Sequence, residues 1–234
     1  MSARPLAGLL ATAALLALTG CGGSGGGEEA PPVDELVRRA TERTGAVKSF
    51  HFEFDVENAP TGRPGLNLTF ADGNLVVPDR LQAKVAGTLS GISLRSELIF
   101  VEDQHYLKDP FTGEWEELDA KTSPLAFFDP AKGVLSVIEG AMRLEVAGSE
   151  EVGGADTYRL KGVIPAREVT PILGNEPSDR LVDLELWIGK DDFRLRRIRL
   201  SGPIAPDEPS EVVRTVEVSG FDEPFTIEPP ETGS

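Results

Sequence analysis

Apolar and polar residues alternate with a period of two over much of this chain, and that pattern predicts β-strands with one buried face. Phe50, Phe52, Phe54 and Val56 alternate with His51, Glu53, Asp55 and Glu57. The same rhythm returns at Leu66, Leu68 and Phe70, at Leu81 to Leu89, and at Ile92 to Phe100. Later it appears at Met142 to Val146, Tyr158 to Gly162, Val182 to Ile188, Ile198 to Leu200 and Val216 to Val218. Gly91 and the turn signals Asp72-Gly73-Asn74, Thr112-Gly113, Gly153-Gly154 and Lys190-Asp191-Asp192 are expected to separate the strands. Successive strands joined by short turns imply an antiparallel meander with one apolar face.

Three segments break the period. Val33, Leu36, Val37, Ala40, Thr44 and Val47 recur at helical spacing, with Asp34 and Glu35 in the first turn and Gly45 at the stop. Ser123-Pro124 and Asp129-Pro130 each read as a cap followed by a proline at the first helical position. They lead Leu125, Phe127 and Phe128, then Val134, Leu135, Val137 and Ile138. Pro165 opens a third short segment, Ala166 to Leu173, interrupted by Pro171. The apolar stretch 123–140 needs a surface to cover, and the concave side of the sheet is the candidate.

The N-terminus has another logic. Arg4 precedes an apolar run from Leu6 to Leu18, which is the layout of a secretory signal. The run is shorter than the ~20 residues a spanning helix needs. It ends in Leu18-Thr19-Gly20-Cys21, which resembles the bacterial lipobox, and Cys21 is the single cysteine of 234 residues. The expectation is export, cleavage after residue 20 and lipid attachment at Cys21. Residues 22–32, GGSGGGEEAPP, read as a flexible tether that is expected to be disordered. Stretched, it would reach about 35–40 Å. The expected division is therefore a signal at 1–20, a lipidated tether at 21–32 and one domain at 33–234. With one cysteine there is no intrachain disulfide, so stability must come from the core.

Charge narrows the partners. The formal net charge is −16, from 39 acidic and 23 basic residues. That excludes nucleic acid, which requires a basic face, and disfavours general adhesion to anionic headgroups. The membrane link is then expected from the acyl chains on Cys21. Enzyme chemistry finds no support: His51 and His105 lack metal-ligand spacing, and no nucleophile elbow or phosphate loop appears. The run Glu114, Glu116, Glu117 and Asp119 reads as a solvated edge. Arg194, Arg196, Arg197 and Arg199 either pair with carboxylates across strands or bind an acidic lipid head. Trp187 alternates away from the main core, toward a membrane interface or a second layer. Trp115 is expected at a strand end.

The linear order now carries a resemblance. Lipobox, Gly-rich tether, helix and strands precede SPLAFFDPAKGVLSVI, then GVIPAREVTPIL, LVDLELWIGKDDFRLRRIRLSGPI and the closing FDEPFTIEPP. The chain resembles the LppX/LprAFG family of cell-envelope lipoproteins. The resemblance implies an α+β fold: a strongly curved antiparallel sheet, or half-barrel, with helices over its concave face, as in carriers of the Lol type. It implies an acylated lipid or glycolipid as ligand, a transporter of the envelope as partner, no cofactor and a place on the outer face of the plasma membrane. Residues expected to line a lipid cavity are Phe52, Phe54, Leu68, Val85, Leu94 and Leu98 from the early strands. Leu144, Leu160, Leu184 and Leu186 would join them from the later strands, and Phe127, Phe128, Leu135 and Ile138 from the lid. The alternative is that the same side chains fill an ordinary core, leaving an envelope sensor or protein-interaction module. Gly87, Ser96 and Gly162 on apolar faces either leave room for chains or mark bulges.

Overall fold

The computed structural model describes residues 30–60, 66–119, 130–173 and 178–232. The signal, Cys21, most of the tether and the segment carrying Phe127 and Phe128 lie outside the described residues. Helix α1 spans Val33–Gly45 and buries Leu36, Ala40 and Thr44, one face at spacing four. Asp34 and Glu35 sit in its first turn, and Glu35 pairs with Arg39 one turn on. At the other end the Ala46 N–H returns to the Glu42 carbonyl.

Eleven strands follow: β1 Ser49–Glu57, β2 Leu66–Val76, β3 Arg80–Leu89, β4 Ile92–Val101, β5 Gln104–Lys108 and β6 Trp115–Asp119. Helix α2, Pro130–Gly140, then leads to β7 Met142–Val152 and β8 Ala155–Pro165. A 3-10 turn at Ala166–Val169 and the short helix α3, Thr170–Leu173, precede β9 Leu181–Gly189, β10 Leu195–Ser201 and β11 Val213–Ser219. The sheet order is β6-β5-β4-β3-β2-β1-β11-β10-β9-β8-β7. Two meanders are therefore joined at their centre, where β1 pairs antiparallel with β11. The edges are β6 and β7, and the connection between those edges contains α2. The result is a curved α+β half-barrel with α1, α2 and the 3-10 turn packed on its inner face.

Curvature comes from extra residues. The register shifts at Thr69 in β2, at Arg143–Leu144 and Ala147 in β7, and at Arg196 in β10. Gly87 lies opposite the first shift and Gly162 opposite the second. A Cβ on Gly87 would stand 2.3 Å from the Asn67 carbonyl oxygen, and one on Gly162 would stand 2.5 Å from that of Met142. These glycines thus admit a bulged neighbour rather than leaving space for a ligand. Ser96 instead donates its hydroxyl to the Lys108 carbonyl at 2.5 Å.

One expectation needs correction, and one open alternative is decided. Asp72-Gly73-Asn74 is not a turn: it lies inside β2, where Asp72 faces Glu53 on one side and Lys84 on the other. Strand pairing on both flanks overrides the local turn preference of those residues. Trp187 does point to the outer face, yet it is only 3% exposed. Its indole N–H donates to Glu150 at 3.0 Å, and the Arg197 guanidinium lies 5.2 Å from the ring centroid. It belongs to a covered outer layer and has no free face for a membrane.

The outer face also holds a small second core. Ile227 of the C-terminal segment packs there on Ile99, Val101 and Tyr106. Asp222 pins the start of that segment: it accepts the Lys48 N–H at 2.9 Å and pairs with Arg194 at 2.6 Å. The Lys48 N–H foremost holds the Asp222 carboxyl below the usual carboxylate range; burial opposes it, and the Arg194 guanidinium adds to the lowering. Its stabilising effect is therefore full above the unfolded-state value and fades as pH falls through the folded-state value. Replacing Asp222→Ala should cost under about 1 kcal/mol at neutral pH, since the pair is partly exposed. Denaturant titrations should show the difference from the parent protein closing in acid; a difference that persists there would exclude this carboxylate as its source.

Candidate functional site

The pairing register lays the inner face out in rows. One row runs Val85, Ala71, Phe54, Val216, Ile198, Leu186, Leu160 and Val146, from β3 across the centre to β7. Every member except Val146 is buried. A neighbouring row holds Leu98, Ala83, Gly73 and Phe52. Small residues on β2 and β3 thus stand beside the two large rings of β1. The helices close over this region through Leu36, Ala40, Val134, Val137 and Ile138, all packed in the same core. A backbone tie sets the angle of α1: the Leu195 N–H donates to the Thr44 hydroxyl at 3.1 Å.

The expected cavity residues fall into two sets. Phe52, Phe54, Leu98, Ile138, Leu160, Leu184 and Leu186 are 0–2% exposed and Val85 is 9% exposed. They make a closed core, which a lipid chain reaches only if a neighbour moves. Leu68, Leu94, Leu135 and Leu144 are half-buried and keep accessible surface. Leu68 and Leu94 flank Gly87 where β2, β3 and β4 run toward the Leu89–Ile92 turn. Leu144 lines a cleft of about 480 Å³ with Val33, Val37 and Ala141, between the first turns of α1 and the start of β7. Leu135 faces the C-terminal end of α1, within 3.5 Å of where a Cβ on Gly45 would lie. Phe127 and Phe128 lie outside the described residues.

A charged pair inside this apolar face was missed in the sequence. Arg214 has the same parity as Val216 and Val218, and its row continues through Val56 and Leu200. It is paired with Glu208 of the β10–β11 loop at 2.6 Å, with side chains 8% and 4% exposed. Glu208 also accepts the Ile204 N–H at 2.7 Å. Burying either charge alone would cost several kcal/mol, so the two must enter the core together. Strand parity pointed Arg214 inward; nothing local marked Glu208 as its partner.

The arginine run resolves mainly into ion pairs. Arg194 meets Asp222, Arg196 meets Asp192 at 2.5 Å, and Arg197 meets Glu217 at 2.8 Å. Arg199 lines an outer cleft of about 410 Å³ with Glu185 and Thr215. His105 stacks on Phe100 with ring centroids 3.7 Å apart. Its burial lowers its pKa, opposed by Asp119. Among the described residues no group of three or more His, Cys, Asp or Glu could hold a metal ion.

A family model, the LppX_LprAFG lipoprotein, matches residues 33–227. The chain belongs to the LppX_LprAFG lipoprotein family. A relative in sequence is the lipoarabinomannan carrier protein LprG of Mycobacterium tuberculosis, 24% identical over 200 residues that cover 83% of each chain. Among solved structures, LprF of Mycobacterium bovis superposes with a TM-score of 0.66 at 18% identity, covering 85% of this chain and 96% of that one. LppX of Mycobacterium tuberculosis gives 0.57 at 21% identity, covering 84% and 100%. The half-barrel is thus the architecture that this chain shares with other LppX_LprAFG lipoproteins.

The buried pair yields a stability prediction. Glu208→Ala leaves Arg214 charged and unpaired in the core of this LppX_LprAFG domain, and should destabilise it by about 3–5 kcal/mol. Urea denaturation checks this; a loss as small as that of an exposed pair would mean that Arg214 reaches water by another route.

Proposed function

We propose that this protein is a non-catalytic carrier, anchored through lipid on Cys21 at the outer face of the plasma membrane. It binds an acylated lipid or glycolipid between the inner face of the sheet and its helices. It then passes the lipid to a partner across the cell envelope. The observation that carries this reading is the inner face itself. It is apolar from β3 to β7 apart from the paired Arg214 and Glu208, and its accessible part, at Leu68, Leu94 and Leu144, borders the closed core directly. The name of LprG as a lipoarabinomannan carrier supports the same class of ligand.

The energetics require enclosure. Each methylene left in water costs about 0.8 kcal/mol, so a lipid with long chains costs tens of kcal/mol to carry bare. A face already half-open at one end can accept the first part of a chain without unfolding. The remainder enters as α1 and α2 shift away from the sheet, which must break the bond from the Leu195 N–H to the Thr44 hydroxyl of α1 and that from the Ser136 hydroxyl of α2 to the Glu168 carbonyl.

A second reading has its own observation. Seven of the expected cavity residues are 0–2% exposed, which is how a filled core looks. In that case the protein is a sensor or interaction module of the envelope. Native mass spectrometry separates the two. Protein lacking residues 1–20 and carrying Cys21→Ala should retain co-purified lipid and bind a fluorescent fatty acid. If it does neither, the carrier reading fails and the filled core stands.

Leu135→Trp places an indole between α1 and α2. It should lower lipid loading while the domain stays soluble and folded; unchanged loading would locate the ligand elsewhere. For the anchor, metabolic labelling with an alkyne fatty acid should mark the parent protein and leave full-length Cys21→Ala unmarked. Equal labelling of both would place the acyl chains on another residue.

A further inference from the structure

The exposed large hydrophobic side chains of the described residues are not scattered. Leu89 and Ile92 flank the β3–β4 turn, and Phe111 tops the β5–β6 turn. Met142 begins β7 and Leu181 begins β9. In an antiparallel sheet of this order, all five positions fall on the same end of the half-barrel. Val146 follows one turn of the pleat further along edge strand β7, and only Val77 lies at the opposite end. Phe111 is 79% exposed and Ile92 is 63% exposed, so neither supports the fold. Single exposed apolar residues are ordinary on a surface; concentration on one rim is not.

Two further features meet at that rim. The first turn of α1 lies there, since Val33 and Val37 share their cleft with Ala141, Arg143 and Leu144. The chain from Cys21 to Val33 spans at most about 40 Å when stretched. Arg143 and Arg180 are exposed neighbours of Met142 and Leu181 in sequence, and neither side chain has an ion-pair partner among the described residues. Apolar tips flanked by free guanidinium groups suit the boundary between acyl chains and phosphates.

We propose that this rim is a membrane-docking surface: Ile92 and Phe111 on one arm of the half-barrel, and Met142 and Leu181 on the other, enter the bilayer that holds the anchor. This rests on the reading of Cys21 as the lipidated residue. The half-open inner face at Leu68 and Leu94 then meets the lipid directly, and cargo passes without crossing water. Acidic side chains stand at this rim too, Asp109 and Glu114 beside Phe111 and Asp179 beside Arg180, so the apolar tips and the anchor carry the docking rather than charge.

Site-specific fluorescence tests the orientation. In the acylated full chain Cys21 has no free thiol, so Ile92→Cys, Phe111→Cys, Val77→Cys and Asp103→Cys can each carry one environment-sensitive label. Intact mass confirms the anchor and reports any bound lipid separately. In phosphatidylcholine vesicles containing a lipid-borne quencher, labels at 92 and 111 should be quenched several-fold more than labels at 77 and 103. Val77 is the apolar control at the far end. Equal quenching at all four positions would overturn the proposal. So would shielding of 92 and 111 without vesicles, accompanied by a dimer in light scattering. The double variant Ile92→Asp, Phe111→Asp should keep its lipid in native mass spectrometry yet transfer it to vesicles several-fold more slowly. Unchanged transfer would refute docking while leaving the carrier reading intact; loss of bound lipid would show that these side chains belong to the binding site instead.

Discussion

Everything in this structure depends on covering one face of a sheet that cannot cover itself. Eleven strands place Phe52, Phe54, Leu98, Leu160, Leu184 and Leu186 on the same side. Each large side chain of this kind is worth about 1.5–3 kcal/mol when fully buried. A flat sheet would leave them wet, so the sheet curls and the helices enter the hollow. The topology makes this economical. The first helix precedes the central strand β1, and the connection between edge strands β6 and β7 carries the second. The hydrogen bond between Thr44 and Leu195 then ties α1 to β10.

Curling has consequences on both sides. On the inner side, extra residues in β2, β7 and β10 bend the ladder, and glycines opposite two of those bulges let the backbones approach. On the outer side, polar residues spread apart and pair in rows: Arg159 with Glu185 at 2.6 Å, Arg197 with Glu217, Lys108 with Glu97 at 2.8 Å. Pairs of this partly exposed kind add little stability each. Arg159 and Arg197 also cover Trp187, and cross-strand contacts of this kind help to set register.

The inner face is uneven, and that unevenness matters for function. Toward β8–β11 it is sealed by α2, the 3-10 turn and the Arg214–Glu208 pair. Toward the β3–β4 turn it stays half-open. A rigid, fully sealed core would favour a sensor; an open hollow would favour a permanent lipid store. A face that is closed at one end and accessible at the other suits a ligand that enters progressively. Family membership and the shared half-barrel are consistent with such a role without fixing the ligand, because folds host many functions and sites decide among them.

The sequence by itself determined the faces of most strands, the first helix and α2, because periods of two and 3.6 are local properties of the chain. Alternation alone sent Phe52 and Phe54 inward and Trp187 outward. It could not say that Asp72-Gly73-Asn74 stays extended, since that depends on β1 and β3 pairing on both flanks. The sequence marked the Thr112-Gly113 turn and a strand end at Trp115, yet not the short strands β5 and β6 that they join, whose apolar signal is two or three residues long. Of the expected site, the sequence supplied the list of apolar positions; only the tertiary structure separated closed core from accessible rim. The burial of Trp187, the pairing of Arg214 with Glu208 and the gathering of Leu89, Phe111, Met142 and Leu181 on one end are all non-local. Each depends on which strands lie side by side, and that order arises from closing the sheet around its helices rather than from any segment's own preference.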